Sequence, residues 1–186
     1  MAANIRLLIL VAFVAATASP LNQIPLIATS ERQPQAAVIH DNYWGGPVNT
    51  CNQSTLRVYK SPSSGGHDLS TMLTFQYPSA TNCWLEFNTP PVQRGSRFVD
   101  VYTQWAIVDQ CPSTGNNRDR NLGRLEIPES GGKATWIAVY GDYLVGPNSP
   151  CPTQGKIEGI EMVGVGDDQD LRWSQSDGKG LRVLFS

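Results

Sequence analysis

The sequence predicts an all-β chain: an antiparallel β-sandwich, jelly-roll or immunoglobulin-like, of about eight to ten strands stapled by disulfides. Three observations carry this. Beyond residue 46, short apolar runs are separated by turns rich in Gly, Pro, Asn and Ser. After the first eighteen residues no window repeats apolar residues at i, i+3, i+4 and i+7, so no amphipathic helix is expected. No fixed period recurs, which disfavours a propeller or a solenoid.

The strand candidates, in order, are 56–59, 72–77, 83–87, 98–108, 123–127, 134–140, 157–163, 171–174 and 181–185. Turn-rich stretches at 61–66, 89–95, 113–121, 129–132, 146–152 and 177–180 punctuate them. The last contains Asp177-Gly178 and reads as a hairpin turn before the final strand. Residues 19–45 carry Pro20, Pro25, Pro34 and Gly45 without sustained periodicity and read as a linker or pro-segment, with Arg32 a candidate processing site. The domain proper is then 46–186.

The first eighteen residues set the expected compartment. Arg6 precedes the apolar run from Leu7 to Ala16, and Ala16 and Ala18 form an A-x-A pattern before Ser19-Pro20, as in a secretory signal peptide. About ten apolar residues are too few to cross a bilayer, which needs roughly 20. Loss of Arg6 leaves 13 basic against 16 acidic residues. That charge gives no basic footprint for nucleic acid, and no later segment is expected to insert in a membrane. A secreted, extracellular protein is expected.

Cys51, Cys83, Cys111 and Cys151 form an even set at spacings of 32, 28 and 40. In an oxidising compartment they read as two disulfides; without a C-x-x-C pair they make a poor metal site, and spacing alone leaves three pairings open. Asn52-Gln53-Ser54 is a glycosylation sequon, so Asn52 is expected at the surface. No metal or cofactor is expected. Asp167-Asp168-Gln169-Asp170 lacks the spacing of a Ca²⁺ loop and reads as a tight turn.

Strand alternation assigns faces. Cys83, Leu85 and Phe87 form one core set, and Val99, Val101 and Trp105 another. Leu171, Trp173, Leu181, Val183 and Phe185 face inward as well, with Arg172, Ser174 and Arg182 outward. Trp84 and Glu86 then share an outward face, as do Asp100, Tyr102 and Gln104. Aromatic plates beside carboxylates and amides suit a sugar or a polar peptide surface: the rings cover C–H patches and the polar groups take hydroxyls.

The segment Thr74-Phe75-x-Tyr77-Pro78, followed by Cys83-x-Leu85-x-Phe87, resembles part of a fungal domain family. That family is named for the C-terminal domain of the ubiquitin-like-pathway binding protein But-two. Leu122-Gly123-x-Leu125, Cys151-Pro152, Glu161 with Gly166-Asp167, and Leu171…Gln175 are similar to later pieces in the same order, so the resemblance covers about residues 50–186. It implies a β-sandwich of the kind found in small secreted ascomycete proteins. It also favours a Cys83–Cys151 pair, leaving Cys51–Cys111 as an added one. The founding members' intracellular partner, an activating enzyme, is not expected to carry over to a chain with a signal peptide. The longer insert at 113–121 departs from the family pattern.

Enzymatic signals are few. No G-x-S-x-G elbow is present, and the two histidines, His40 in the expected linker and His67 in a flexible turn, make poor triad material. A glycosidase would need a carboxylate pair such as Glu86 and Asp100 roughly 5–10 Å apart. The reading expected from the sequence is a non-enzymatic extracellular or cell-wall-associated binding protein. It would recognise a polysaccharide or surface glycoprotein through Trp84, Glu86, Asp100, Tyr102 and Gln104. The alternatives are an effector contacting a host protein through 113–121, and a carbohydrate-active enzyme.

Overall fold

Apolar residues at every second strand position meet in a main core enclosed by two antiparallel sheets, with Val38, Met72 and Cys51 forming a small separate cluster. The structure, a computed structural model, describes residues 30–42, 48–51, 53–105, 118–175 and 179–186. Among these there are fourteen strands and no helix. The smaller sheet runs β1 (Ser30–Arg32), β14 (Gly180–Phe185), β6 (Cys83–Thr89) and β10 (Gly132–Lys133). The path of the larger begins with β11 (Thr135–Val139), β9 (Arg118–Glu126), β8 (Phe98–Gln104) and β12 (Ile157–Gly164). It continues through β5 (Leu69–Gln76), β4 (Leu56–Lys60), β13 (Gln169–Trp173) and β7 (Arg94–Gly95). Off that path, β2 (Ala36–Asp41) pairs with β5, and β3 (Val48–Cys51) pairs with β2.

Each of the nine strand candidates overlaps a strand of the structure, 98–108 as far as Gln104 with 106–108 outside the described residues, and ten strands have five residues or more. The core-facing sets are also found: Leu85, Phe87, Leu181 and Val183 from the small sheet meet Val99, Val101, Ile160, Met162 and Leu171 from the large one. Phe87 of β6 touches Trp173 of β13 edge-to-face across the gap, centroids 5.2 Å apart, a contact worth about 1 kcal/mol beyond the area it buries. Gly123 sits where β9 slips register against β8. Its φ of 144° and the Ala138 carbonyl on its open side leave no room for a Cβ, so glycine there lets β11 lie against β9.

Three expectations need correction. Within the stretch read as linker, residues 30–32 and 36–41 are strands, and Arg32 is paired with Val183 rather than lying in a free segment. β1 is exposed at all three positions and is held by its ladder, so apolar periodicity could not reveal it. Asp177 and Gly178 lie outside the described residues, but the strands on either side do not form a hairpin: β13 pairs with β4 and β7 while β14 pairs with β6 and β1 in the other sheet. An Asp-Gly step favours a chain reversal but does not decide which sheet the next strand joins. Trp105 is 77% exposed: β8 ends at Gln104, and the alternation that would turn Trp105 inward ends with it.

Cys83 and Cys151 form a disulfide, the pairing that the family resemblance implies. Cys51 on β3 is disulfide-bonded too, whereas Cys111 and Asn52 lie outside the described residues. The bond ties β6 to the chain segment ahead of β12 across 68 residues of sequence. Closing a loop of that size removes unfolded-state entropy worth about 4 kcal/mol. Urea unfolding of a Cys83→Ala/Cys151→Ala double variant is therefore expected to show a stability loss of about that size; a loss under about 1 kcal/mol would show the link to be dispensable.

Candidate functional site

The two sheets divide the five predicted site residues. Trp84 and Glu86 lie on the outer face of the small sheet, beside Leu184 and Arg182 of β14. Asp100, Tyr102 and Gln104 lie on the outer face of the large sheet, turned the opposite way across the core. One cross-strand row there runs Cys51, Val38, Met72, Glu161, Tyr102 and Asn121. Gln104 donates to the fully buried Glu161, which also receives Arg118 through both carboxylate oxygens at 2.8 and 2.9 Å. The Arg118 guanidinium lies 5.2 Å from the centre of the Tyr102 ring, and Arg124 holds Asp100 bidentately at 2.7 and 3.0 Å. Burial, followed by the Asp100 charge, raises the Tyr102 phenol above its ordinary value. These three side chains thus belong to a dense ion-pair lattice. The carboxylates of Glu86 and Asp100 do not share a site, so the pair that the glycosidase alternative requires is not assembled.

Trp84 and Glu86 instead border a groove of about 630 Å³ that wraps around the edge of β6. On the outer side its walls are Trp84, Glu86 and Leu184; at the bottom it reaches Leu85, Phe87 and Leu125. The far wall is Lys133-Ala134-Thr135-Trp136, running from β10 into β11, and the end wall is Val145-Gly146-Pro147. Trp136 is half-buried, paired with Leu125 and packed on the core, so its ring is fixed beside the space. Trp136, Lys133 and the 145–147 wall were not picked out from the sequence. Period-2 alternation places a side chain on a face but does not say which distant strand stands opposite.

The end wall is held by an unusual set of contacts. Leu144, alone among the described non-glycine residues, has a positive φ, 61°, at a cost of about 1–2 kcal/mol. Its carbonyl accepts the Leu85 N–H at 2.8 Å. The Ser149 hydroxyl oxygen accepts the N–H groups of Val145 and Gly146, both at 3.1 Å, and the Ser149 carbonyl accepts the Cys83 N–H. Beside Leu144, the Tyr143 hydroxyl donates to Glu158 at 2.7 Å, as does the Tyr77 hydroxyl at 3.0 Å, and Lys156 donates to the other Glu158 oxygen at 2.7 Å. Burial above all, with the Glu158 carboxylate, pushes the Tyr143 phenol up to about 12 and the Tyr77 phenol well above its ordinary value.

The polar rim of the groove is an ion-pair chain. Lys133 Nζ contacts Glu86 Oε2 at 2.5 Å, Arg182 Nη2 contacts Glu86 Oε1 at 2.6 Å, and Arg182 Nη1 reaches Glu31 of β1 at 2.8 Å. Lys133 is more than half exposed even while paired with Glu86, and Arg182 neutralises the same carboxylate from the other side. The arrangement offers a carboxylate acceptor, an ammonium donor and the Thr135 hydroxyl above apolar walls with two indoles. Among the described residues no cluster of His, Cys, Asp and Glu could hold a metal ion, and no helix is long and apolar enough to cross a membrane. His67 bonds to Asp41 at 2.8 Å in a half-exposed turn, and neither it nor His40 lines the groove. Residues 113–117 of the predicted contact loop lie outside the described residues, and 118–121 belong to β9.

Comparison with known proteins returns no matching family model and no matching curated protein.

The Glu86 carboxyl carries a testable signature. Burial alone would raise it, but hydrogen bonds from Lys133 and Arg182 hold it below the ordinary carboxylate value. Its pairs therefore contribute their full stability above the unfolded value of about 4.3 and lose it as pH falls through the lower folded value. An NMR titration of the side-chain carboxyl carbons is expected to place Glu86 below the ordinary glutamate value. A midpoint above that value would mean that the Lys133 and Arg182 contacts do not persist in solution.

Proposed function

We propose that this chain is a secreted, non-enzymatic binding protein, extracellular or cell-wall-associated, whose groove at the β6 edge takes a glycan from a polysaccharide or a surface glycoprotein. The observation that carries the reading is the pairing of two indoles, Trp84 and Trp136, around one groove with Glu86 and Lys133 at its rim. Pyranose rings present flat C–H faces to indoles, and their vicinal hydroxyls can donate to a carboxylate while accepting from an ammonium. The Glu86 carboxylate is the single acid among the described groove-lining residues and is already ion-paired, which suits binding better than proton transfer. Export is supported by the Arg6–Ala18 segment together with the Cys83–Cys151 disulfide, a bond that oxidising compartments preserve. The relation to the But-two domain family is proposed on the Thr74–Phe87, Leu122–Leu125 and Cys151-Pro152 motifs and on that same cysteine pairing.

A panel of β-glucan, cellulose, chitin, mannan and glycoprotein glycans tests the reading on the secreted protein. Saturable binding is expected to at least one of them. Trp84→Ala and Trp136→Ala should each weaken it at least about tenfold, the scale of one lost stacking contact plus its buried area, with thermal unfolding still cooperative. Glu86→Gln should retain part of the affinity. Absence of binding to every glycan would overturn the proposal.

A further inference from the structure

Strand alternation turns the backbone groups of Leu85 and Phe87 away from β14 and toward the groove. At the ends of this stretch they are bonded: the Leu85 N–H to the Leu144 carbonyl, and the Phe87 carbonyl to the Ala134 N–H, both at 2.8 Å. Between those two bonds lie the Leu85 carbonyl and the Phe87 N–H. β10 pairs with β6 only at Asn88 and Thr89, the β14 ladder takes the groups on the other edge, and outside the ladders no bond from a described residue reaches either group. Phe87 is 1% exposed and is one of the residues lining the groove, so a partner for its N–H would come from the groove side. Such orphan donors are rare in folded proteins because each costs about 1–3 kcal/mol.

The surroundings narrow what can satisfy it. Leu125 and Ala134 make the floor beside the open peptide edge apolar, so the complementary group is a carbonyl carrying a methyl. An added peptide strand would need a longer run of free edge, whereas Leu144 and Ala134 close this one after a single carbonyl and a single N–H. We infer that the groove recognises an N-acetylated amino sugar: the acetamido carbonyl accepts the Phe87 N–H, its methyl rests on Leu125 and Ala134, and the Leu85 carbonyl receives a hydroxyl hydrogen of the same ring. The inference rests on the glycan reading of this groove and adds the substrate class. Trp84 and Trp136 then flank the sugar ring, and Lys133 and Glu86 take hydroxyls at the rim.

Three tetrasaccharides with the same β-1,4 backbone isolate the acetyl group: chitotetraose, cellotetraose and the fully deacetylated glucosamine tetramer. Calorimetric titration is expected to give chitotetraose at least about a tenfold tighter Kd than either of the others, the scale of one satisfied buried donor. In ¹H–¹⁵N spectra the Phe87 amide should move downfield with chitotetraose and much less with cellotetraose. Equal affinities, or a Phe87 amide unmoved by bound chitotetraose, would overturn the inference while leaving a glycan-binding groove. If no oligosaccharide binds, the glycan reading fails, and N-methylacetamide titrated against the Phe87 amide separates the two claims. A saturable downfield shift would retain the carbonyl receptor, with a peptide or other acylated ligand in place of a sugar. No shift would dispose of the receptor as well.

Discussion

The edge of β6 that faces away from β14 is the feature on which the rest of the site depends. A strand inside a sheet normally has both edges laddered, and leaving one bare invites non-specific pairing. Here β10 covers only the last two residues of β6, and the loop between β11 and β12 covers the first part through Ser149 and Leu144. What remains is a short opening bounded on both sides by protein hydrogen bonds. It is too small to nucleate edge-to-edge pairing and large enough, with the diverging β11, to form a walled groove.

Closing that edge with a loop instead of a strand has consequences for stability. Leu144 must adopt a left-handed conformation to present its carbonyl to Leu85, and nothing intrinsic to leucine favours this. The surrounding contacts offset it. Glu158 gathers the hydroxyls of Tyr77 and Tyr143 and the Lys156 ammonium at one end of the loop, Ser149 and the Cys83–Cys151 disulfide fix the other, and the Leu144 side chain is fully buried. Charge-assisted hydrogen bonds of this type contribute about 1.5–3 kcal/mol each when well formed. The Glu158 carboxylate is therefore structural. It sets the position of Val145-Gly146-Pro147, and with it the end wall of the groove.

Much of this architecture is legible in the sequence. Alternating apolar residues locate nine strands, put Leu85 and Phe87 on the core face, and put Trp84 and Glu86 on the opposite face, where Trp84 is nonetheless only 8% exposed. The same alternation places Asp100, Tyr102 and Gln104 outward, but on the other sheet. Period-2 patterning orients each strand relative to its own sheet and carries no information on which sheet that is. The hairpin expected at Asp177-Gly178 fails for the same reason. β1 and β2 leave little trace because one is wholly exposed and the other, just after Pro34, places His40 rather than an apolar residue at one of its two buried positions. Trp136 and the Leu144 strap belong to long-range pairing, which no local window encodes.

The chemistry of the groove depends on whether the Phe87 amide is open to it in solution. Native-state hydrogen exchange, read residue by residue, tests this without any ligand. The Leu85 amide, bonded to Leu144, should exchange only with global or large sub-global opening, as should the Glu86 amide in the β14 ladder. The Phe87 amide beside them is expected to exchange at least about tenfold faster than either. Protection of Phe87 equal to that of Leu85 would mean that the β6 edge is fully closed, and the groove would lose the donor on which its chemistry is built.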